Sequence, residues 1–152
     1  MSTKTIATNR RARYDYEIFD TYEAGLVLRG SEVKSLRDGR AHLKDAYAIV
    51  KDGEMFLIGC RISPYPFARD GGHEPDRTRK LLLHRHEIDR IRTQIEERGR
   101  TLIPIKMYFK DGKAKIELGI ARGKDRFDKR ETLKRKQADR EMERAMRYRS
   151  LD

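Results

Sequence analysis

Two copies of the tripeptide Lys-Asp-Gly, at 51–53 and 110–112, constrain the fold more than any other feature of the sequence. Asp-Gly accepts the positive φ angles of a two-residue hairpin turn with little steric strain, so it is a strong hairpin signal between strand-like segments. Such segments flank both copies, at 46–50 and 54–58 and again at 102–109 and 113–121. The sequence therefore predicts two β-hairpins.

The second hairpin alternates apolar and polar residues along both segments, which is the period-2 pattern of a sheet with one buried face. We expect the buried face to consist of Ile103, Ile105, Met107 and Phe109 in the first segment and Ala114, Ile116, Leu118 and Ile120 in the second. We expect the opposite, solvent-exposed side of this hairpin to carry Lys106, Lys113, Lys115 and Glu117. The pattern predicts an exposed and mostly basic sheet surface.

The remaining segments predict further strands and two short helices. Residues 14–29 and 77–83 have strand-like composition. Ser31 is placed to cap a short helix that Gly39 ends, and 87–97 carries isoleucines at helical spacing. About six strands bury a core well only by closing on themselves. The predicted fold is all-β with short helices, of the closed β-barrel type.

The charge balance points to a polyanionic partner. The chain has 36 Lys and Arg against 25 Asp and Glu, a net charge of +11. Basic side chains neutralise phosphates and release condensed counterions, so nucleic acid is the natural partner. Charge alone leaves open a soluble protein that is merely basic.

Cysteine content and the N-terminus bear on the compartment. Cys60 is the only cysteine, so an intramolecular disulfide and a multi-thiolate zinc site are both excluded, and we expect a small buried side chain. Residues 1–13 are basic without the apolar stretch of a signal peptide, and no segment is apolar enough to cross a membrane. The expected location is the cytoplasm.

The composition changes at Gly123 and suggests three parts: a basic N-terminal arm (1–13), a β-barrel domain (14–123) and a basic C-terminal tail (124–152). The tail carries eleven Lys or Arg and seven Asp or Glu, including acid-first pairs at i, i+4 spacing that favour a helix. Few apolar residues are available to dock it. We expect a tail that is disordered when free and helical on its target, although a charged extension without a role stays open.

Several segments, taken together and in this order, resemble one family. They are Asn9-Arg-Arg-Ala12, Tyr14-Asp-Tyr16, Glu23-Ala-Gly25, Gly30-Ser-Glu-Val-Lys-Ser-Leu-Arg37, Arg79-Lys-Leu-Leu-Leu-His84, Gly123-Lys124 and Asp128-Lys-Arg130. The sequence is similar to the SmpB, or SsrA-binding protein, family from about Asn9 into the tail.

The resemblance implies an oligonucleotide-binding (OB-fold) barrel that binds the tRNA-like domain of transfer-messenger RNA, without a cofactor, a metal or a catalytic role. It further implies delivery with elongation factor Tu to stalled ribosomes for trans-translation. In that scheme the tail enters the small-subunit decoding centre and the empty mRNA channel.

Candidate RNA contacts begin near the N-terminus. Asn9, Arg10 and Arg11 can donate to phosphates or a base edge, although a disordered arm is an even alternative. A carboxylate such as Glu23 repels RNA unless it accepts from a base amine or imino group or orders an arginine. The resemblance places Glu23 and Gly25 on the RNA-binding surface.

Further candidates lie on the short helix and on two strands. Lys34 and Arg37 occupy the polar face of the helix, where Glu32 is expected to act only in capping. The resemblance places an apolar residue, Leu82, against an unstacked base, although a core position is the alternative. Lys115, on the solvent-exposed side of the second hairpin, is a candidate phosphate contact.

The candidates in the tail rest on the resemblance. It assigns Gly123 and Lys124 to a hinge and Asp128, Lys129 and Arg130 to the decoding centre. Phe127 supplies a ring that can stack on a base but lacks the imidazole proton of many relatives. The resemblance also implies that the apolar pair Ala145 and Met146 seats the distal helix.

Two other function classes are open. Segments 73–76 (His-Glu-Pro-Asp) and 84–86 (His-Arg-His) suggest a metal-dependent enzyme, but the sequence places no third ligand beside the second pair. A general OB-fold single-stranded RNA-binding protein or chaperone would bind RNA indiscriminately and would not need the tail.

Overall fold

The structure is a computed structural model that describes residues 3–68 and 72–124 and six helical positions between 137 and 144. The strands are β1 (Thr3–Thr8), β2 (Tyr16–Leu26), β3 (Ala41–His42), β4 (Tyr47–Lys51), β5 (Glu54–Ile58), β6 (Arg61–Ile62), β7 (Arg79–Leu82), β8 (Thr101–Lys110) and β9 (Lys113–Gly123). The helices before the tail are α1 (Ala12–Asp15), α2 (Gly30–Arg37) and α3 (Arg85–Arg98).

Six of the strands form a closed ring in the order β8-β4-β5-β7-β2-β9, because β9 pairs back with β8. All of these pairs are antiparallel. Strand β1 adds to β8 outside the ring, while β3 and β6 form a separate two-stranded sheet. The ring confirms the predicted closed all-β architecture with short helices.

Both predicted hairpins are confirmed as β4–β5 and β8–β9. The turn residues have positive φ angles, 53° and 75° at Asp52 and Gly53 and 51° and 79° at Asp111 and Gly112. These values are those of a type I′ turn, whose twist matches that of the flanking strands. Local turn chemistry therefore determines both hairpins.

The predicted common face of Ile103, Ile105, Met107 and Phe109 is wrong, because β8 contains a bulge. The register with β9 shifts between Pro104 and Lys106, which reverses the side-chain alternation. Met107 and Phe109 face the main core, whereas Ile103 packs in a second cluster with α1. A Cβ on Gly119 would lie only 2.8 Å from Ile105 Cδ1 and 3.0 Å from Ile18 Cγ2, so a larger residue at 119 would displace these two side chains.

The second strand of this hairpin follows the prediction. Its apolar residues Ile116, Leu118 and Ile120 are fully buried in the main core, and Ala114 packs against them. Cys60 is also buried there, as predicted, and burial raises the pKa of its thiol to about 11. The core thus fills the inside of the ring.

Part of the predicted N-terminal arm forms a strand. Its residues 3–8 form β1 and pair with β8, with Thr3 opposite Lys110 and Thr8 opposite Lys106. Threonine is favoured in strands, and β8 offers an edge beyond its short pairing with β4. The boundaries of the arm, domain and tail stay a prediction.

Helix α2 is held to the ring by a buried ion pair that the sequence analysis did not foresee. Glu32 accepts from Arg79 Nε and from Arg77 Nη2, each at 2.5 Å, and Glu32 and Arg79 are fully buried. Arg79 also donates to the carbonyl oxygens of Cys60 at 2.6 Å and Pro75 at 3.1 Å. Helix α2 is therefore fixed to β7 and to the segment before it.

The ionisation of Glu32 reflects these bonds. Burial by itself raises the pKa of the carboxyl group, but hydrogen bonds from Arg77, from the backbone N–H of Arg29 and from Arg79 together bring the pKa below its usual value. Arg29, not the predicted Ser31, occupies the N-cap position, because the helix begins at Gly30. Glu32 therefore caps the helix and anchors it.

Helix α3 lies where the isoleucine spacing predicts it. It ends at Gly99, whose φ of 63° is left-handed and which is therefore a favourable C-cap position for glycine. Ile88 and Ile91 are buried in the main core, and Ile95 packs against it.

Candidate nucleic-acid interface

Three predicted RNA contacts form a row across neighbouring strands of the ring. Gly25 on β2 is opposite Leu82 on β7 and opposite Lys115 on β9. Leu82 points outward and is 52% exposed. A Cβ on Gly25 would lie 3.5 Å from Leu82 Cβ and 3.8 Å from Lys115 Nζ, so the glycine leaves a shallow depression between the two side chains. We call Glu23, Gly25, Leu82 and Lys115 the outer face.

Glu23 lies two residues before Gly25, on the same side of β2. Its Oε2 accepts a hydrogen bond from the Tyr108 hydroxyl at 2.5 Å, and Lys110 Nζ lies 3.5 Å from both carboxylate oxygens. The Tyr108 hydrogen bond is the main reason that the pKa of Glu23 lies below its usual value; Lys110 and Lys115 contribute further. An ionised carboxylate is therefore held in place on a basic surface.

Tyr108 and Lys110 are functional candidates that the sequence analysis missed. Tyr108 is almost fully buried, and burial followed by the hydrogen bond to Glu23 raises the pKa of its hydroxyl well above the usual value. Lys106 lies on the same side of β8, with its Nζ 5.5 Å from the centre of the Tyr108 ring. Alternation along β8 places 106, 108 and 110 on the same side of the strand, but it does not bring Tyr108 or Lys110 to Glu23, which depends on strand pairing.

Lys34 and Arg37 are exposed on α2. They lie on α2, whereas the outer face lies on β2, β7 and β9. Residues 27–29 connect the end of β2 to the start of α2. Lys34 Nζ lies 5.6 Å from the centre of the Tyr65 ring, in the segment that follows β6. Lys34 therefore lies beside an aromatic residue.

Asn9 is engaged in the fold itself. Its side-chain Nδ2 donates to the Pro104 carbonyl at 3.0 Å, and its backbone N–H donates to the Ile105 carbonyl at 2.7 Å. Arg10 is exposed, while Arg11 Nε lies 3.4 Å from an Asp15 carboxylate oxygen. Asn9 therefore joins the end of β1 to the bulge of β8, across β8 from the outer face.

The tail begins at a defined point. Gly123 is opposite Tyr16 at the end of β9, and the backbone N–H of Lys124 donates to the Asp15 carbonyl at 2.9 Å. The other predicted tail contacts, Phe127, Asp128, Lys129, Arg130, Ala145 and Met146, lie outside the described residues. Among the described tail positions, Met142 is 66% exposed on a helical stretch.

The histidines considered as metal ligands have other partners. His73 Nε2 donates to the Ile62 carbonyl at 2.9 Å, so in the neutral ring Nδ1 accepts from the Ser31 hydroxyl at 2.8 Å. The rings of His84 and His86 stack on each other 5.5 Å apart. In the described part of the chain, no group of three or more His, Cys, Asp or Glu side chains is arranged to hold a metal ion.

Helices that could span a membrane are absent from the residues that the structure describes.

Comparison with known proteins identifies the family. Two proteins named SsrA-binding protein, from Geobacillus thermodenitrificans and Syntrophobacter fumaroxidans, are each 56% identical to the chain and cover 96% and 93% of it, over 94% and 88% of their own lengths. A chain of the solved structure described as "tmRNA-SmpB: a journey to the center of the bacterial ribosome" is 47% identical, with a TM-score of 0.67 over 84% of this chain and 93% of that one. The family model described as SmpB protein matches residues 6–148, and the chain belongs to this family.

Proposed function

We propose that the chain binds the tRNA-like domain of transfer-messenger RNA through its outer face and delivers that RNA to stalled ribosomes for trans-translation. The observation that carries the proposal is the Glu23 carboxylate, held by Tyr108 and Lys110 beside Lys115 and the exposed Leu82. The relatives named SsrA-binding protein and the neighbour described as tmRNA-SmpB support it.

Each group of the outer face suits a different part of an RNA elbow. An oriented carboxylate accepts from base N–H groups, which gives selectivity, since phosphates are repelled by the same charge. Lys115 attracts the backbone phosphate, and Leu82 packs against an unstacked base. Gly25 allows the ribose or base to approach the sheet closely.

The other predicted RNA contacts add to this surface in the proposal. Arg10 and Arg11 bind phosphates near the end of β1, and Asn9 fixes the backbone that presents them. Lys34 and Arg37 bind phosphates beside α2. Basic contacts of this kind position an RNA without reading its sequence.

The ribosomal part of the proposal rests on the tail. Gly123 and Lys124 act as the hinge, Phe127, Asp128, Lys129 and Arg130 contact the decoding centre, and Ala145 and Met146 seat the distal helix in the mRNA channel. Delivery involves elongation factor Tu in the cytoplasm. The role is one of binding, without a catalytic step or a cofactor.

A competition experiment tests the RNA specificity. Labelled transfer-messenger RNA is challenged on filters with excess bulk tRNA and unstructured RNA, for wild type, Glu23→Ala and Glu17→Ala. Glu17 is a matched control, because it is an exposed carboxylate on the same strand that pairs with Arg122. We expect poor competition by bulk RNA, weaker binding by Glu23→Ala and normal binding by Glu17→Ala.

The opposite result would support a general OB-fold RNA-binding protein or chaperone. Equal competition by every RNA, with Glu23→Ala binding as well as wild type, would rule out a tRNA-like-domain reader. If Glu17→Ala and Glu23→Ala were equally weak, the effect would reflect lost folding, and the outer face would have no special role.

A further inference from the structure

Phe67 is the most exposed large apolar side chain in the described part of the chain, at 78%. It lies in the segment between β6 and β7 and is not one of the residues that form the outer face. An exposed aromatic ring on a strongly basic protein is unfavourable in water and favourable against a nucleic-acid base. The exposed ring of Phe67 is therefore suited to contact with a base.

Phe67 forms one wall of a groove of about 470 Å³, which we call the aromatic groove. Its lining residues are Arg29, Gly30, Ser31, Lys34, Tyr65, Phe67, Ala68 and Gly72. Tyr65 and Phe67 meet edge to face, with ring centres 5.7 Å apart and planes at 72°. This arrangement leaves a ring face available for stacking, since an edge covers only one face of its neighbour.

The charge of the aromatic groove matches a phosphate. Arg29 and Lys34 supply two cations, and none of the eight described lining residues is acidic. The nearest carboxylate on α2, Glu32, is buried and already paired with Arg77 and Arg79. Rings and cations in one groove fit an unpaired nucleotide, whose base stacks while its phosphate meets the cations.

The two walls of the aromatic groove are fixed to each other. Ser35 on α2 donates to the Ser63 carbonyl at 2.8 Å. The ring of His73 connects Ser31 on α2 to the Ile62 carbonyl. Little ordering is therefore required when a ligand enters, which favours binding.

The aromatic groove lies next to the β2–β7 pair that carries the outer face. Beyond Gly25, the N–H of Val27 donates to the Lys80 carbonyl at 3.1 Å, and the chain reaches Arg29 two residues later. Arg79, the neighbour of Lys80, is the residue paired with Glu32 on α2. An RNA bound at Gly25 and Leu82 can thus continue into the aromatic groove.

We propose that the aromatic groove binds one unpaired nucleotide of the same transfer-messenger RNA, with its base stacked on Phe67 and its phosphate at Lys34 and Arg29. This inference rests on the proposed function and extends it to a second contact. Stacking on an aromatic side chain is commonly worth ~1–3 kcal/mol, so its loss lowers affinity by about fivefold or more.

The test compares full-length Phe67 variants in the same competition assay. We expect Phe67→Ala and Phe67→Leu to bind transfer-messenger RNA at least about fivefold more weakly, and Phe67→Tyr and Phe67→Trp to bind like wild type. Leucine keeps apolar volume but has no π face, so it separates stacking from simple burial. Because Phe67 is so exposed, the thermal midpoint should not change.

A photo-crosslinking residue, p-benzoylphenylalanine, placed at position 67 identifies the occupant. A crosslink to an unpaired nucleotide of transfer-messenger RNA is the expected result. A crosslink only to ribosomal RNA or to a protein, or full affinity in Phe67→Ala, would overturn the proposal. If Phe67→Ala binds normally but Glu23→Ala binds weakly, the proposed function stands and only the role of the aromatic groove is excluded. Normal binding by both variants would exclude both proposals.

Discussion

The Tyr108 hydroxyl and the Glu23 carboxylate, 2.5 Å apart, connect β8 to β2 across the intervening strand β9. This bond selects one orientation of a side chain that is 40% exposed and otherwise has several rotamers. Lys110 lies beside the same carboxylate. Tyr108 is therefore a positioning residue for Glu23 if Glu23 reads the RNA.

Tyr108→Phe tests this positioning role. The ring stays buried but the hydrogen bond is lost, so we expect transfer-messenger RNA to bind about three- to tenfold more weakly, with stability lowered by about 1 kcal/mol or less. Filter binding gives the affinities. In the Glu23→Ala background the same change should have no further effect; additive losses would show that Tyr108 acts independently of Glu23.

The buried pair of Glu32 and Arg79 should dominate the stability of the α2 region. Glu32→Gln leaves Arg79 without its charged partner, and breaking a buried pair in this way typically destabilises by about 3–5 kcal/mol. Urea unfolding measures the loss. Asp76→Asn is the control, because it removes an exposed pair with Arg61 and should change the free energy of unfolding by less than about 1 kcal/mol. Equal losses of stability in the two variants would contradict a special role for Glu32.

Acid should destabilise the wild type partly through Glu32. Its pKa is lower in the folded than in the unfolded chain, so the stabilisation is present above the unfolded pKa and is lost as the pH falls through the folded pKa. We expect unfolding midpoints measured from pH 7 down to 3 to fall less steeply in Glu32→Gln than in wild type. Parallel curves would show that Glu32 ionisation does not contribute.

Removal of the tail should separate two activities. A chain that ends at Lys124 keeps β9 and its contact with Asp15, so we expect transfer-messenger RNA to bind with near-normal affinity. The same truncation should abolish tagging of peptides on a message without a stop codon in reconstituted translation. Full tagging by the truncated chain would exclude a ribosomal role for the tail.

The elements that depend on residues close together in the chain could be predicted from the sequence. Asp-Gly turns gave both hairpins, and the isoleucine spacing gave α3. The bulge in β8 was missed because it is a property of the register between β8 and β9, which the alternation within one strand does not reveal. The pair of Glu32 and Arg79 was missed because 47 residues separate them.

The same distinction applies to the candidate site. The outward direction of Leu82 and the outer-face position of Lys115 follow from strand alternation. The contact of Glu23 with Tyr108 spans 85 residues and depends on the pairing of β9 with both β2 and β8. No pattern in the sequence could have supplied it without the pairing register.

Strand β9 sets the distance between the proposed RNA contact at Lys115 and the start of the tail at Gly123. It holds Lys115 opposite Gly25 and then runs unbroken to Gly123, where the tail begins. Eight residues at the usual rise of a strand span ~27 Å. An RNA held at Lys115 is therefore kept at a set distance from the origin of the tail, and an insertion in β9 would change that distance without altering either contact.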